Sequence, residues 1–160
     1  MMDFQVGDKV IHAKYGLGEI LKMDEKFIHD RQMLCYVVRT RDLTIWVTAD
    51  EPEKSSLRLP TPGSDFVKLF AILGSPGEPL PQDRFERKTY LLECIQDGKL
   101  ASVCSVVRDL FFYRKEKKLN EYDKSFLERA QSFLLMEWMH SLAVTYAQAN
   151  NDLMRLLGVT

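Results

Sequence analysis

The chain changes its hydrophobic period once, at Pro60-Thr-Pro-Gly63, and this switch constrains the fold more than any other feature. Before it, residues 1–59 read as short strands: Val6–Ile11, Glu19–Met23, Leu34–Val38 and Leu43–Val47, with Leu57–Leu59 placed to close the sheet. Gly16-Leu-Gly18 and Arg39-Thr-Arg-Asp42 punctuate them as turns. Short, closely spaced runs rich in β-branched and aromatic residues predict a small β-barrel or rolled sheet. At about sixty residues, this module is SH3- or Tudor-sized.

After Gly63 the apolar residues recur at helical spacing. Ser64 is placed to cap a helix with Phe66, Leu69, Phe70 and Leu73 on one face and Gly74 at its end. The loop Gly74–Pro81 cannot continue a helix. Asp83 caps a second helix running to Asp97, and a third spans about Leu100–Lys118. Asn120 with Asp123 forms a capping box in which Asp replaces Glu, opening a long helix through Trp138. Thr145 with Gln148 opens the last. The predicted class is α+β: a β-module over 1–60, then an all-α domain of about five helices over 61–160.

Composition narrows the function. Twenty-two Lys and Arg stand against 23 Asp and Glu, for a net charge of −1. Residues 1–60 hold 9 basic and 10 acidic side chains, and residues 61–160 hold 13 of each. A strongly basic nucleic-acid coat is excluded, while a local basic patch is not. No apolar run approaches the ~20 residues that span a bilayer, and the N-terminus lacks the pattern of a secretory leader. Three cysteines, Cys35, Cys94 and Cys104, each lie in an apolar run and read as buried reduced thiols of a cytoplasmic protein. The expected state is a monomer.

Catalytic patterns are missing. His12, His29 and His140 share no metal-ligand spacing with each other or with the cysteines. C-x-x-C, H-E-x-x-H and G-x-S-x-G do not occur. The Gly16/Gly18 pair is too short for a dinucleotide fingerprint. No enzyme activity, metal or cofactor is expected, and the chemistry is binding.

Two groups of residues are candidates for it. Arg84-Phe-Glu-Arg-Lys88 opens a helix just after the Pro-rich loop, with Arg84, Arg87 and Lys88 at i, i+3, i+4 and Phe85 beside them. Such a group can hold phosphates and press an aromatic on a base step. The alternative is a solvated helix start with Phe85 packed inward. Cations at a helix N-terminus oppose its dipole by a few tenths of a kcal/mol, so stability alone does not account for them. Lys124, in the first turn of the long helix, joins Arg87 and Lys88 if the two helix starts converge. Arg114-Lys-Glu-Lys-Lys118 ends the third helix, where cations complement the dipole. In the β-module, alternation puts Ile45 and Val47 on one face and Trp46 on the other. Trp46 is then either an exposed protein-contact anchor or is covered by the second domain. Lys26 and Phe27, in the hairpin after the second strand, extend the same surface.

Phe4-Gln-Val-Gly-Asp-Lys-Val-Ile-His-Ala-Lys-Tyr-Gly-Leu-Gly18 resembles the opening of the CarD/CdnL family of bacterial transcription regulators, and Asp42-Leu-Thr-Ile-Trp-Val47 resembles its last long strand. Leu92–Lys99, Val103–Leu110 and Leu119–Leu127 follow its helical pattern in order. The resemblance covers nearly the whole chain. It implies a Tudor-like domain that binds the β subunit of RNA polymerase, with Lys26 and Trp46 at its contact positions and Phe27 beside them as a further candidate. It also implies a helical domain that touches promoter DNA without base-specific readout and so modulates open-complex stability; Arg87 and Lys124 match its basic positions, and Arg84, Phe85 and Lys88 of the helix start complete the candidates. Lys26 stands where the family usually has Arg, Trp46 replaces another Arg, and Thr48 replaces Pro. The family's Trp wedge aligns with Arg84, so either Phe85 takes that role by a one-residue shift or the wedge is absent. In the second case the chain is a polymerase-binding adaptor without a DNA role.

Overall fold

The computed structural model describes residues 4–50 and 56–159; the extreme N-terminus, read above for a leader, begins outside them. The chain separates into two compact units, Met1–Pro60 and Thr61–Thr160.

In the first unit, β1 (Lys9–His12), β2 (Gly16–Ile28), β3 (Arg31–Thr40), β4 (Thr44–Thr48) and β5 (Leu57–Arg58) form one antiparallel sheet in the order β4-β3-β2-β1-β5. Alternation carries Val10, Ile20, Tyr36, Val38 and Val47 to one side, where they build the core with Phe4 and Leu57. Phe4 meets the Tyr36 ring edge-on at 5.6 Å.

Three expectations need correction here. β1 begins at Lys9, because Val6 lies in a turn closed by the Asp8 N–H donating to the Gln5 carbonyl (3.0 Å). Gly18 is no turn residue but sits inside β2, paired with Val10 and Thr40. A Cβ there would come within 2.8 Å of Val38 Cγ1 and 3.0 Å of the Arg39 carbonyl oxygen, so its lack of a side chain serves close strand approach. β2 and β3 also run on well past Met23 and before Leu34, to a two-residue turn at His29-Asp30 with φ of 51° and 59°. Positive φ at both positions defines a type I′ turn, which suits the twist of a long ribbon. Lys26 and Phe27 are therefore strand residues, paired with Met33 and Gln32.

The second unit is helical. A 3₁₀ turn at Gly63–Asp65 leads into α1 (Phe66–Leu73); Ser64 lies inside that turn instead of capping the helix. Then come α2 (Arg84–Cys94), α3 (Leu100–Glu116), α4 (Glu121–Leu142) and α5 (Tyr146–Leu156). α2 and α3 end three and two residues before the expected limits, at Cys94 and Glu116; the turn at Gly98 uses φ of 71°. Both capping boxes are present, Asn120 with Asp123 and Thr145 with Gln148. α3 packs against α1, α2 and α4, which is why it buries residues on so much of its circumference. Trp138 of α4 lies in the core against Phe66 and Phe70 (ring centroids 6.1 and 4.9 Å). The loop after α1 is tied to α3 by Asp109, whose Oδ1 accepts from the Glu78 N–H (2.9 Å), and by Arg108, whose Nη1 donates to Ser75 Oγ (2.8 Å).

Among the described residues, no helix is long and apolar enough to cross a membrane.

Candidate functional site

The first turn of α2 is fixed by Asp83, whose carboxylate accepts from the N–H groups of Phe85 (3.1 Å) and Glu86 (3.0 Å). With that turn in place, Arg87 faces inward and Arg84, Phe85 and Lys88 face out. Phe85 is 66% exposed, which excludes the reading in which it packs into the core. The Arg84 guanidinium lies 4.9 Å from its ring centroid.

Arg87 corrects the sequence reading. It is only 4% exposed, and all three of its nitrogens donate inside the protein. Nε lies 3.0 and 3.2 Å from the two Asp123 carboxylate oxygens and Nη2 lies 2.9 Å from Oδ2, a bidentate pair. Nη1 donates toward the carbonyls of Pro81 and Gln82 and the Tyr113 hydroxyl, at 3.1, 3.1 and 3.2 Å. The Asp123 hydrogen bond is the main reason its pKa is raised further. A guanidinium so buried and so engaged is not presented to an outside phosphate; its work is to hold α2 to α4.

Asp123, 1% exposed, is the residue that sequence reasoning underused. Its Oδ2 accepts from the Asn120 N–H (3.2 Å) while Asn120 Oδ1 accepts from its own N–H (2.8 Å), so one carboxylate closes the capping box and the ion pair together. The one visible signal was Asp in the place where a capping box usually has Glu. Through this pair the starts of α2 and α4 converge. Lys88 Nζ then lies 4.9 Å from the Tyr122 ring centroid, and Lys124, exposed on α4, pairs with Glu121 at 3.6 Å.

In the β-module, register puts Lys22, Asp24 and Lys26 of β2, Cys35 and Val37 of β3 and Trp46 of β4 on the face away from the core. Trp46 is 39% exposed, with Lys26 Nζ 5.1 Å from its ring centroid. Beneath them Cys35 is fully buried, and burial pushes its thiol pKa up, with Lys26 opposing and Asp24 adding to the shift. Phe27 is 69% exposed but, one residue on, points to the opposite side of the ribbon from Lys26 and Trp46. The single surface expected for all three residues is in fact two. Thr48 is buried. Among the described residues, no three His, Cys, Asp or Glu side chains gather as metal ligands.

The fold defines an α+β protein with a Tudor-like sheet module ahead of a helical domain that presents cations and an exposed aromatic at one end. Residues 4–58 match the family model of the CarD-like/TRCF RID domain, and residues 68–154 match that of the CarD C-terminal domain. The chain is also 30% identical over 142 residues to the Bacillus subtilis (strain 168) protein named "Putative transcription factor YdeB", covering 84% of this chain and 89% of that one. The chain belongs to the CarD family of transcription factors, as its opening and helical segments implied.

Proposed function

We propose that this protein binds bacterial RNA polymerase, at its β subunit, through the Lys26–Trp46 face of the sheet, and contacts promoter DNA through Arg84, Phe85, Lys88 and Lys124. The observation that carries the DNA half is Phe85: a large apolar ring left two-thirds in water, on a capped helix turn, with cations around it. An unstacked base step would cover that ring, and the cations would hold the flanking phosphates. Nothing in this arrangement reads base edges, so the effect is on open-complex lifetime and not on sequence choice. A near-neutral chain can work this way because attachment to polymerase raises its effective concentration at the promoter. The role is binding without catalysis, in the cytoplasm, by a monomer.

The test is the lifetime of a promoter open complex with the cognate polymerase, measured alongside capture of its β subunit. Wild type is expected to change the lifetime, Phe85→Ala to abolish that change while preserving capture, and Trp46→Ala to weaken capture. Phe27→Ala reports on the opposite face of the ribbon. Absence of both capture and lifetime change rejects the reading. The loss of Arg87 as a DNA-facing cation favours, as second reading, an adaptor that binds polymerase alone; capture without any lifetime change would select it.

A further inference from the structure

Three helix ends meet around Arg87. Its guanidinium bridges the start of α4 at Asp123 and the last turn of α3 at the Tyr113 hydroxyl, with the Tyr113 ring centroid 4.9 Å from Cζ. The start of α2, the end of α3 and the start of α4 therefore share one end of the helical unit. Tyr113 is followed directly by Arg114-Lys-Glu-Lys-Lys118, every residue of it exposed, and the chain is anchored again by buried Leu119. The Arg114 guanidinium is held 4.4 Å from the Phe111 ring centroid.

Residues 61–160 carry 13 basic and 13 acidic side chains, yet their charge is segregated. At this end Arg84, Lys88 and Lys124 are joined by the four cations of the run. Against these seven stand four carboxylates, those of Asp83, Glu86, Glu116 and Glu121. Arg87 and Asp123 cancel, so this end is +3 and the rest of the unit −3. The α3 dipole accounts for cations in its last turn, Arg114 and Lys115, but its influence fades within that turn. Lys117, at the C-cap with an extended backbone, and Lys118 lie beyond it. Among the described residues, none of the four cations has a carboxylate at ion-pair distance. They are poised for a charge that comes from outside.

We infer that Arg114, Lys115, Lys117 and Lys118 form a phosphate-contacting surface next to the Phe85 end, which grips duplex DNA by its backbone beyond the step that Phe85 meets. This rests on the DNA reading proposed above. Each phosphate neutralised releases counterions, so the contacts are read as the slope of log affinity against log salt, about 0.9 per contact on duplex DNA. The experiment titrates the full chain, without polymerase, on a labelled duplex of about 30 base pairs across a salt series. Arg114→Gln, Lys115→Gln, Lys117→Gln and Lys118→Gln together should lower the slope by roughly two to four units, equally on unrelated sequences. Lys68→Gln, Lys99→Gln, Arg129→Gln and Arg155→Gln remove the same charge elsewhere and should leave the slope near wild type. Lys117→Gln with Lys118→Gln, outside the helix, should give about half the loss and covers the case in which the fourfold change disturbs α3. An unchanged slope in both run variants, or an equal loss in the control, overturns the proposal, as does wild type that binds no duplex at low salt. The Phe85→Ala lifetime experiment is independent: a lifetime effect that needs Phe85 beside an unchanged slope sinks this surface and leaves the wider reading standing.

Discussion

Arg87 and Asp123 show how much a single buried pair organises. Both are withdrawn from water, and the favourable Coulomb term is matched by a large desolvation cost, so the pair's value lies in geometry more than in net stability. Breaking it is another matter. Arg87→Met strands the Asp123 carboxylate in the interior and should cost about 3–5 kcal/mol in urea unfolding. Adding Asp123→Asn, which removes the charge but keeps a capping oxygen, should recover part of that loss. Cys104 makes a second prediction. Burial first, and the nearby Glu137 carboxylate second, push its pKa from 9.0 to about 12. The folded thiol thus keeps its proton where the unfolded one has lost it. Its contribution to stability is complete below pH 9 and is lost as pH rises from 9 toward 12. At pH 8 a thiol reagent should spare Cys35 and Cys104 and label half-buried Cys94 slowly, as peptide mapping by mass spectrometry will register.

Among the elements, the loop between α1 and α2 determines whether α2 starts in the right place. Gly77 lies against α3 so closely that a Cβ would stand 2.3 Å from Phe112 Cβ. Gly77→Ala must push the loop off α3 and should destabilise by roughly 1–3 kcal/mol, as overpacking does. Thermal unfolding measures the loss, and Phe112→Ala in the same chain should not restore it, because alanine keeps the Cβ that meets residue 77. The carbonyls of Pro81 and Gln82 that receive Arg87 lie at the end of this loop, so the same variant should also weaken the lifetime effect proposed for Phe85. At this scale the sequence was informative where a capping side chain marks a helix start, though Ser64 misled, and less so for the ends of α2 and α3. Asp83, Asn120 and Thr145 declared themselves because a cap is a local hydrogen bond between near neighbours. The ends of α2 and α3, and the length of the β2–β3 ribbon, depend on partners distant in sequence, which local pattern does not register.

For the molecule as a whole, two units with separate cores lie on either side of Pro60 and Thr61. Each core closes on residues of its own unit, so the fragment 61–160 should express as a folded, helical protein with a cooperative thermal transition; a non-cooperative melt would show that it borrows stability from the first sixty residues. Charge behaves differently at this scale than in the composition. A sum of zero over 61–160 conceals an end of +3, and an electrostatic partner responds to the local field and not to the sum.

By itself the sequence determined the class of the fold, the place where sheet gives way to helix, and the family. These follow from hydrophobic period, turn chemistry and short ordered motifs, all of which are written in neighbouring residues. It also brought Phe85 and Trp46 to attention, because an aromatic at a helix start or on the polar side of a strand stands out locally. Tertiary structure alone decided which cations face water. Arg84, Arg87 and Lys88 look equivalent in a helical projection, yet Arg87 is buried because Asp123, 36 residues away, lies opposite it. It also separated Phe27 from Trp46, since the side of a ribbon on which a residue lies depends on strand register and on the unpaired Leu21 between Ile20 and Lys22. Burial and register come from contacts between distant parts of the chain, and no local reading contains them.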